Sequence, residues 1–256
     1  MKVATWNVNS VRARLGRLLD WLGRHSPDVV CLQELKVTDS DFPAEAIEAA
    51  GYRAVVHGQR TYNGVAILAR TPLTDVRTGM GSPALDAQAR LVEARAGDVR
   101  VLSAYFPNGG EVGSEKWDFK LRWMEGLLAH LRADADPTEP LLLCGDMNVA
   151  PEDRDVANPE AWRDTVLCHD DARAAMRRLL DWGLVDTFRQ HHAEGGFYSW
   201  WDYQRLGFPK NDGLRIDFVL ATAPLAKRCV SAAIDREARK GKQPSDHAPV
   251  LAGFSR

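Results

Sequence analysis

Short runs of apolar, mostly β-branched residues recur along the whole chain and predict β-strands. Seven runs stand out, namely Val3 to Val8, Asp28 to Leu32, Gly64 to Ala69, Val99 to Tyr105, Leu141 to Cys144, Ile216 to Leu220 and Ala248 to Leu251. Three stretches have helical spacing instead, namely Val11 to His25 after an Asn9-Ser10 cap, Ser114 to Arg132, and Asp171 to Trp182. This alternation, without a Gly/Ser-rich linker, predicts a single α/β domain over residues 1–256.

Composition and charge exclude several classes of protein. The chain has 256 residues, of which 45% are hydrophobic and 27% charged, and no apolar run is long enough to cross a membrane. Four scattered cysteines predict reduced thiols, and the first residues lack the pattern of a signal peptide, so we expect a cytoplasmic protein. The formal charge of −2 excludes a polycation that coats nucleic acid, so any contact with nucleic acid must be local.

Polar side chains accumulate where the predicted strands begin or end. They are Asn7, Asn9, Gln33, Glu34, Asn108, Asp146, Asn148, Asp246 and His247. Each alone has an ordinary explanation as a turn former or as the partner of a surface cation. Together they supply the oxygen ligands that Mg²⁺ prefers, along with donors that can hold phosphate oxygens.

Asp217 is the least ordinary of the acidic residues, because it lies inside the apolar segment RIDFVLA. A carboxylate buried without a partner is costly, so Asp217 needs one. His247, in the segment SDHAP, is the natural candidate. A carboxylate that accepts one ring N–H fixes the tautomer, raises the imidazole pKa and aims the other nitrogen at a substrate oxygen.

Eight segments resemble the sequence blocks of the exonuclease-endonuclease-phosphatase superfamily, and within it the exonuclease III type of apurinic/apyrimidinic endonuclease. They are TWNVNS, LQELK, NGVAIL, YFPNG, GDMNVAP, WWDYQRLGF, LRIDFVLA and SDHAPV, in order from residue 5 to residue 250. GDMN and SDH are shared with the wider superfamily, whereas WNVNS, YFPNG and WWDYQRLGF are closer to the DNA-repair branch. The resemblance implies a four-layer α/β sandwich, two packed mixed β-sheets flanked by helices, with the site where loops of both sheets meet.

The resemblance also implies roles for individual residues. The implied metal residues are Asn7, Glu34 as principal ligand, Asp146, Asn148 and Asp246. The implied catalytic residues are Tyr105, Asp146, Asn148, Asp217 and His247. The implied substrate-binding residues are Asn211, Trp200, Asn108, and Arg90 and Lys116 as exposed cations. Trp200, with Phe208 or Leu220 beside it, is expected to wall a pocket for a sugar without a base, while Trp201 packs into the core.

The activity implied is that of a DNA-repair phosphodiesterase dependent on Mg²⁺, or on Mn²⁺. It would cut duplex DNA on the 5′ side of abasic sites, leave a 3′-hydroxyl, and trim or clean 3′ ends as a 3′→5′ exonuclease. We expect a monomer whose partner is duplex DNA. The alternatives are a superfamily phosphodiesterase acting on lipids or small molecules, and a non-catalytic RNA-binding regulator with the same fold.

The sequence does not assign a role to three further segments. The basic run Arg236, Arg239, Lys240 and Lys242 is either a contact to the DNA backbone or a solvated loop. Residues 76–88 and 151–171 match no motif with a recognisable role.

Overall fold

The computed structural model describes residues 1–204 and 206–255, which form two six-stranded β-sheets flanked by helices. The strands are β1 (Lys2–Asn7), β2 (Val29–Gln33), β3 (Arg53–His57), β4 (Val65–Ala69), β5 (Leu73–Thr78), β6 (Leu91–Ala96), β7 (Val99–Tyr105), β8 (Leu141–Asp146), β9 (Leu184–Asp186), β10 (Asp217–Thr222), β11 (Cys229–Ile234) and β12 (Val250–Phe254). The helices are α1 (Leu15–His25), α2 (Ala44–Ala49), α3 (Glu115–Asp134), α4 (Pro159–Trp162), α5 (Asp170–Asp181), α6 (Gly207–Lys210) and α7 (Ala223–Ala226).

Both sheets are mixed. The first has the strand order β11-β12-β1-β2-β4-β3, with β1 parallel to β2. The second has the order β5-β6-β7-β8-β10-β9, with β7 parallel to β8. The remaining neighbours in both sheets are antiparallel. The mixed sheets predicted from the resemblance are therefore confirmed.

Three apolar clusters hold together the four layers of the sandwich, which are two sheets and the helices on either side. The central cluster lies between the two sheets and includes Ile67, Val101 and Leu142. A second covers the outer face of the second sheet with side chains of α3 and α5, and a third covers the first sheet with side chains of α1 and α2. Because both faces of each sheet are covered in a four-layer sandwich, the central strands such as β2, β4 and β8 are buried throughout and read as continuous apolar runs.

All seven predicted strands are present, and each predicted end lies within three residues of the observed end. Five more, β3, β5, β6, β9 and β11, were not predicted. Four of them mix charged and apolar residues, and β11 is interrupted by a serine and two alanines. Strand β5, at the edge of its sheet, is almost wholly exposed. Strands of this kind lack the apolar run by which a buried strand is recognised.

The predicted start of the first helix was wrong. Helix α1 begins at Leu15 with Arg14 as its N-cap, and Asn9 and Ser10 have positive φ angles of 45° and 85°. The Asn9 side chain donates to Asp246 instead, at 2.9 Å. A residue that looks like a cap therefore serves the site described below. Of the helices in the described residues, none is long and apolar enough to span a membrane.

Candidate active site

Strands of both sheets end at one edge of the sandwich and place polar side chains there. Asn7 is the last residue of β1, Tyr105 of β7 and Asp146 of β8, while Asp217 is the first of β10. Tyr105 is paired in register with Asp146, and Asp146 with Asp217 across the neighbouring strand. Three adjacent strands of the second sheet thus present one functional side chain each at the same height.

Asn7 joins the two sheets through its side-chain amide. Its Nδ2 donates to Glu34 Oε1 at 2.8 Å and to Asp146 Oδ2 at 2.9 Å. The hydroxyl of Tyr105 donates to the same Glu34 oxygen at 3.0 Å, and Lys36 Nζ lies 2.9 Å from the other. Glu34 itself has a φ of 51°, an unusual conformation outside glycine that often marks functional sites.

His247 is held by a buried carboxylate. Its Nδ1 lies 2.9 Å from Asp217 Oδ2, which also accepts the hydroxyl hydrogen of Ser199 at 2.6 Å. The other ring nitrogen, Nε2, lies 3.7 Å from Asp146 Oδ2. These contacts fix the plane of the ring and leave Nε2 facing the carboxylates of the site.

Burial and neighbouring charges set the protonation states here. Burial raises the pKa of Asp146 to about 7, opposed by the positive charge of His247. Burial lowers the pKa of His247, but Asp217 and Asp146 outweigh it and raise that pKa to about 10. Burial also raises the pKa of Glu34, but Lys36 and Asn7 reverse this and lower it overall. His247 is therefore an imidazolium donor at neutral pH, and Glu34 is ionised.

Glu34, Asp146 and His247 present potential ligand atoms within 4.8 Å of one another, so the residues fit a divalent metal. A protonated imidazole has no free lone pair, so the two carboxylates are the better ligands. Asn7 faces both carboxylates with Nδ2, while its Oδ1 accepts the backbone N–H of Asn9 at 3.0 Å. Asp246 lies outside this triple. Its Oδ1 accepts from Asn9 at 2.9 Å and its Oδ2 from the Trp200 indole at 3.0 Å.

Asn148 and Asn108 lie together beside Asp146. The backbone N–H of Asn148 donates to Asp146 Oδ1 at 2.9 Å, and Asn108 Nδ2 donates to Asn148 Oδ1 at 3.1 Å. Asn148 Nδ2 donates to the Phe106 carbonyl at 3.0 Å. The two amides form a connected pair on the phosphate side of the site implied by the resemblance.

Lys120 was not identified as part of the site in the sequence analysis, although it supports the amide pair of Asn108 and Asn148. It is fully buried, and its Nζ donates to the carbonyls of Asn108 at 3.1 Å, Asn148 at 2.6 Å and Val166 at 2.6 Å. Burial lowers its pKa to about 7, opposed by Asp146. A lysine inside a long helix usually faces water. The available signal was its place in the apolar stripe of Trp117, Met124 and Leu127.

Arg90 and Lys116 line a cavity of about 390 Å³ together with Tyr62, Tyr105 and Asn108. The expectation that Arg90 is an exposed cation was wrong. Its guanidinium is 5.0 Å from the centre of the Tyr105 ring, and it donates to the side-chain oxygen of Gln88 at 2.6 Å. Arg90 is buried because it packs on Tyr105, whereas Lys116 is exposed.

Trp201 packs into the core as predicted, whereas the role of Trp200 as the wall of a sugar pocket stays a prediction. Trp201 is fully buried, while Trp200 is half-buried and pairs with Leu214 through backbone hydrogen bonds of 2.9 Å. The expectation of Phe208 beside Trp200 was wrong, whereas Leu220 belongs to the apolar cluster against which Trp200 packs. Phe208 packs edge-on against Trp201 with ring centres 5.2 Å apart, and Leu220 is buried inside β10. Leu214 was not identified as a neighbour of Trp200 in the sequence analysis.

Asn211 and the basic run pack on the loop that carries Trp201. Asn211 accepts the Trp201 indole hydrogen at 3.2 Å and donates to the Gly196 carbonyl at 3.2 Å. Arg236 lies 4.1 Å from the centre of the Phe208 ring, and Arg239 lies 4.8 Å from that of Tyr203. Because aromatic rings cover these two arginines, they do not lie in a solvated loop, while a contact of the exposed Lys240 and Lys242 with DNA stays a prediction.

Comparison with known proteins gives the same picture over the whole chain. The model of the endonuclease/exonuclease/phosphatase family matches residues 4–247. Exodeoxyribonuclease III of Haemophilus influenzae is 38% identical, over 99% of this chain and 100% of the relative.

Two solved structures cover 100% of both chains compared. An AP endonuclease from Archaeoglobus fulgidus has a TM-score of 0.98 at 38% identity. A 3′ phosphatase from Neisseria, bound to a product DNA hairpin, has a TM-score of 0.97 at 40% identity. These comparisons confirm the four-layer sandwich and the enzyme class, an exodeoxyribonuclease III type phosphodiester hydrolase. The chain therefore belongs to the endonuclease/exonuclease/phosphatase family.

Proposed function

We propose that this protein hydrolyses phosphodiesters in damaged duplex DNA, on the 5′ side of abasic sites and at 3′ ends, with Mg²⁺ as the preferred metal and Mn²⁺ as a substitute. The observation that carries the proposal is the Asn7 amide, which brings Glu34 and Asp146 together from separate sheets beside the Asp217–His247 pair. We also propose that the protein acts as a monomer in the cytoplasm.

The two carboxylates of Glu34 and Asp146 would hold the metal, which lowers the pKa of bound water and offsets charge on phosphate oxygens. Asp146 would also orient the attacking water, a role supported by the hydrogen bonds from Asn7 and from the backbone N–H of Asn148 that fix its two oxygens. The imidazolium of His247 donates from Nε2 to a phosphate oxygen as negative charge develops there. Hydrolysis breaks the bond between phosphorus and the 3′ oxygen, which leaves as a hydroxyl.

Substrate contacts are assigned by position around this centre. Asn108 and Asn148 would donate to the phosphate, and Tyr105 would meet it through its hydroxyl. Arg90 and Lys116 line the neighbouring cavity with the polar character that a DNA backbone requires. Trp200, held by its backbone bridge to Leu214, would offer an apolar wall to a sugar without a base.

Two other functions are less well supported. A phosphodiesterase for lipids or small molecules is disfavoured because the relatives described above are nucleases or act on DNA 3′ ends. A non-catalytic RNA-binding regulator is disfavoured because the acidic, amide and histidine positions of the site are filled and connected by hydrogen bonds.

The test is incision of a labelled duplex that carries one tetrahydrofuran abasic analogue. With Mg²⁺ we expect a cut on the 5′ side of the analogue, and with EDTA none. Glu34→Ala and Asp146→Asn should each reduce the rate by at least about 100-fold, whereas Glu45→Ala, at an exposed acid of α2, should retain it. Cutting at the wild-type rate by both site variants would refute the assignment.

A further inference from the structure

A second cavity adjoins the active site on the side of Trp200. It has a volume of about 430 Å³ and is lined mainly by Gly110, Val112, Trp162, Val166, Leu167 and Trp200. Asn108 lies in its wall as well, so the cavity is continuous with the phosphate side of the site. Trp162 belongs to the segment 151–171, for which the sequence suggested no role.

Trp162 and Trp200 form two walls of this cavity. Their ring centres are 5.9 Å apart and their planes are perpendicular, and both side chains are half-buried. Trp162 is the last residue of α4, and Thr165 holds its carbonyl through two hydrogen bonds, from the backbone N–H at 3.0 Å and from the hydroxyl at 2.7 Å. Each indole therefore leaves part of its surface uncovered by protein.

The segment that carries Trp162 is anchored at both ends. At one end the buried Asp155 accepts from Arg215 Nε at 2.7 Å, and its carbonyl accepts the Arg215 backbone N–H at 2.9 Å. At the other end Lys120 donates to the Val166 carbonyl at 2.6 Å. A wall fixed in this way needs no rearrangement before a ligand binds, which lowers the cost of binding.

The cavity chemistry selects its occupant. The charged residues that line it, Glu111 and Asp164, are acidic, and among the residues that the structure describes no lysine or arginine lines it, so a phosphate is disfavoured. Pockets for drug-sized ligands begin at about 300 Å³, so this one holds more than a sugar ring. Aromatic side chains are the usual platforms for bases of single-stranded nucleic acid. A neutral, planar group joined to a sugar matches the acidic lining, the volume and the aromatic walls of the cavity.

We propose that Trp162 binds the nucleobase of the 3′-terminal nucleotide while the enzyme removes that nucleotide. This inference rests on the proposed function and specifies one of its substrates, a 3′ end that still carries its base. The departing nucleotide lies on the Trp200 side of the scissile phosphate, so its sugar contacts Trp200 and its base extends to Trp162. Removal of a 3′-phosphate places no base in the cavity and does not need Trp162.

The test compares two DNA duplexes that differ only at the recessed 3′ end, one with an ordinary terminal nucleotide and one with a 3′-phosphate. In Trp162→Ala, the ratio of kcat/KM for the first substrate to kcat/KM for the second should fall about tenfold. Trp162→Phe should restore most of the ratio, because phenylalanine also stacks. The control Arg163→Ala, at the exposed neighbouring position, should keep it.

A second measurement reports binding of the base directly. A duplex that ends in 3′-terminal 2-aminopurine is mixed with the protein in EDTA, so that no turnover occurs. Stacking on Trp162 should quench its fluorescence, and Trp162→Ala should lose at least half of that quenching.

The outcomes separate this inference from the proposed function. Equal losses on both duplexes in Trp162→Ala, or unchanged quenching, would overturn the role of Trp162 and leave the proposed function intact. A wild-type protein that removes 3′-phosphates but no base-bearing nucleotide would also overturn it. Wild-type inactivity on both duplexes and on the abasic duplex would refute the two proposals together.

Discussion

The ring nitrogen Nδ1 of His247 lies 2.9 Å from Oδ2 of Asp217, and both side chains are buried. This contact keeps the imidazole protonated and directs Nε2 towards Asp146. Asp217→Asn preserves the size of the side chain but removes the charge that raises the pKa of His247. We expect kcat to fall by about 100-fold or more, because the donor to the phosphate is lost. Single-turnover incision of the abasic duplex measures this, with Asp20→Asn, an exposed acid of α1, as control. A loss below about fivefold would show that the charge of Asp217 is dispensable.

In the metal-free protein, ionisation of Asp146 should lower the free energy of unfolding above neutral pH. Because its pKa is raised from 3.8 to about 7, the folded chain holds this proton more tightly than the unfolded chain. The resulting stability is complete below the unfolded pKa and is lost as pH rises through the folded pKa. In EDTA at about pH 8, Asp146→Asn should unfold at a temperature a few degrees above wild type, and the difference should shrink by about pH 5. Thermal melts at both pH values test this, and a wild type more stable than Asp146→Asn at high pH would contradict it.

Lys120 should affect both stability and catalysis. Lys120→Met would leave three carbonyls, two of them buried, without their donor, and we expect a loss of about 2 to 4 kcal/mol in the free energy of unfolding. The rate of incision should also fall at temperatures where the variant is fully folded, since Asn108 and Asn148 lose their common support. Denaturant titration and incision assays measure the two effects. Arg132→Met, at an exposed position of α3, serves as control. Stability within 1 kcal/mol of wild type would show that water replaces the ammonium group.

Metal binding should be visible without catalysis. A ligand that binds only the folded chain stabilises it by about 2.7 kcal/mol at a concentration 100 times its dissociation constant. We expect Mg²⁺ and Mn²⁺ to raise the melting temperature of the wild type, and Glu34→Ala to abolish most of the rise. Titration of each metal in a thermal melt, with Glu45→Ala for comparison, provides the measurement. An equal rise in Glu34→Ala would place the ion elsewhere.

A comparison of Asp217 with Lys120 shows which parts of the site could be predicted from the sequence and which could not. Asp217 is conspicuous because a carboxylate interrupts an apolar strand, and the block motifs around it carry the fold and most of the site. Lys120 has only the weaker signal of its place in the apolar stripe of α3, and Trp162 has none, since the partners of both residues lie in chain segments far away in sequence. The same reason explains the errors at Asn9, Arg90 and Phe208, whose partners are set by tertiary packing.

The Asn7 bridge ties catalysis to the docking of one sheet on the other. Glu34 directly follows β2 of the first sheet and Asp146 ends β8 of the second, so neither half of the sandwich holds a working set of groups alone. A partly folded chain with one sheet formed would be inert towards DNA. Enzymatic activity can therefore serve as a sensitive reporter of complete folding, and a nuclease built this way cannot cut the genome before its assembly is finished.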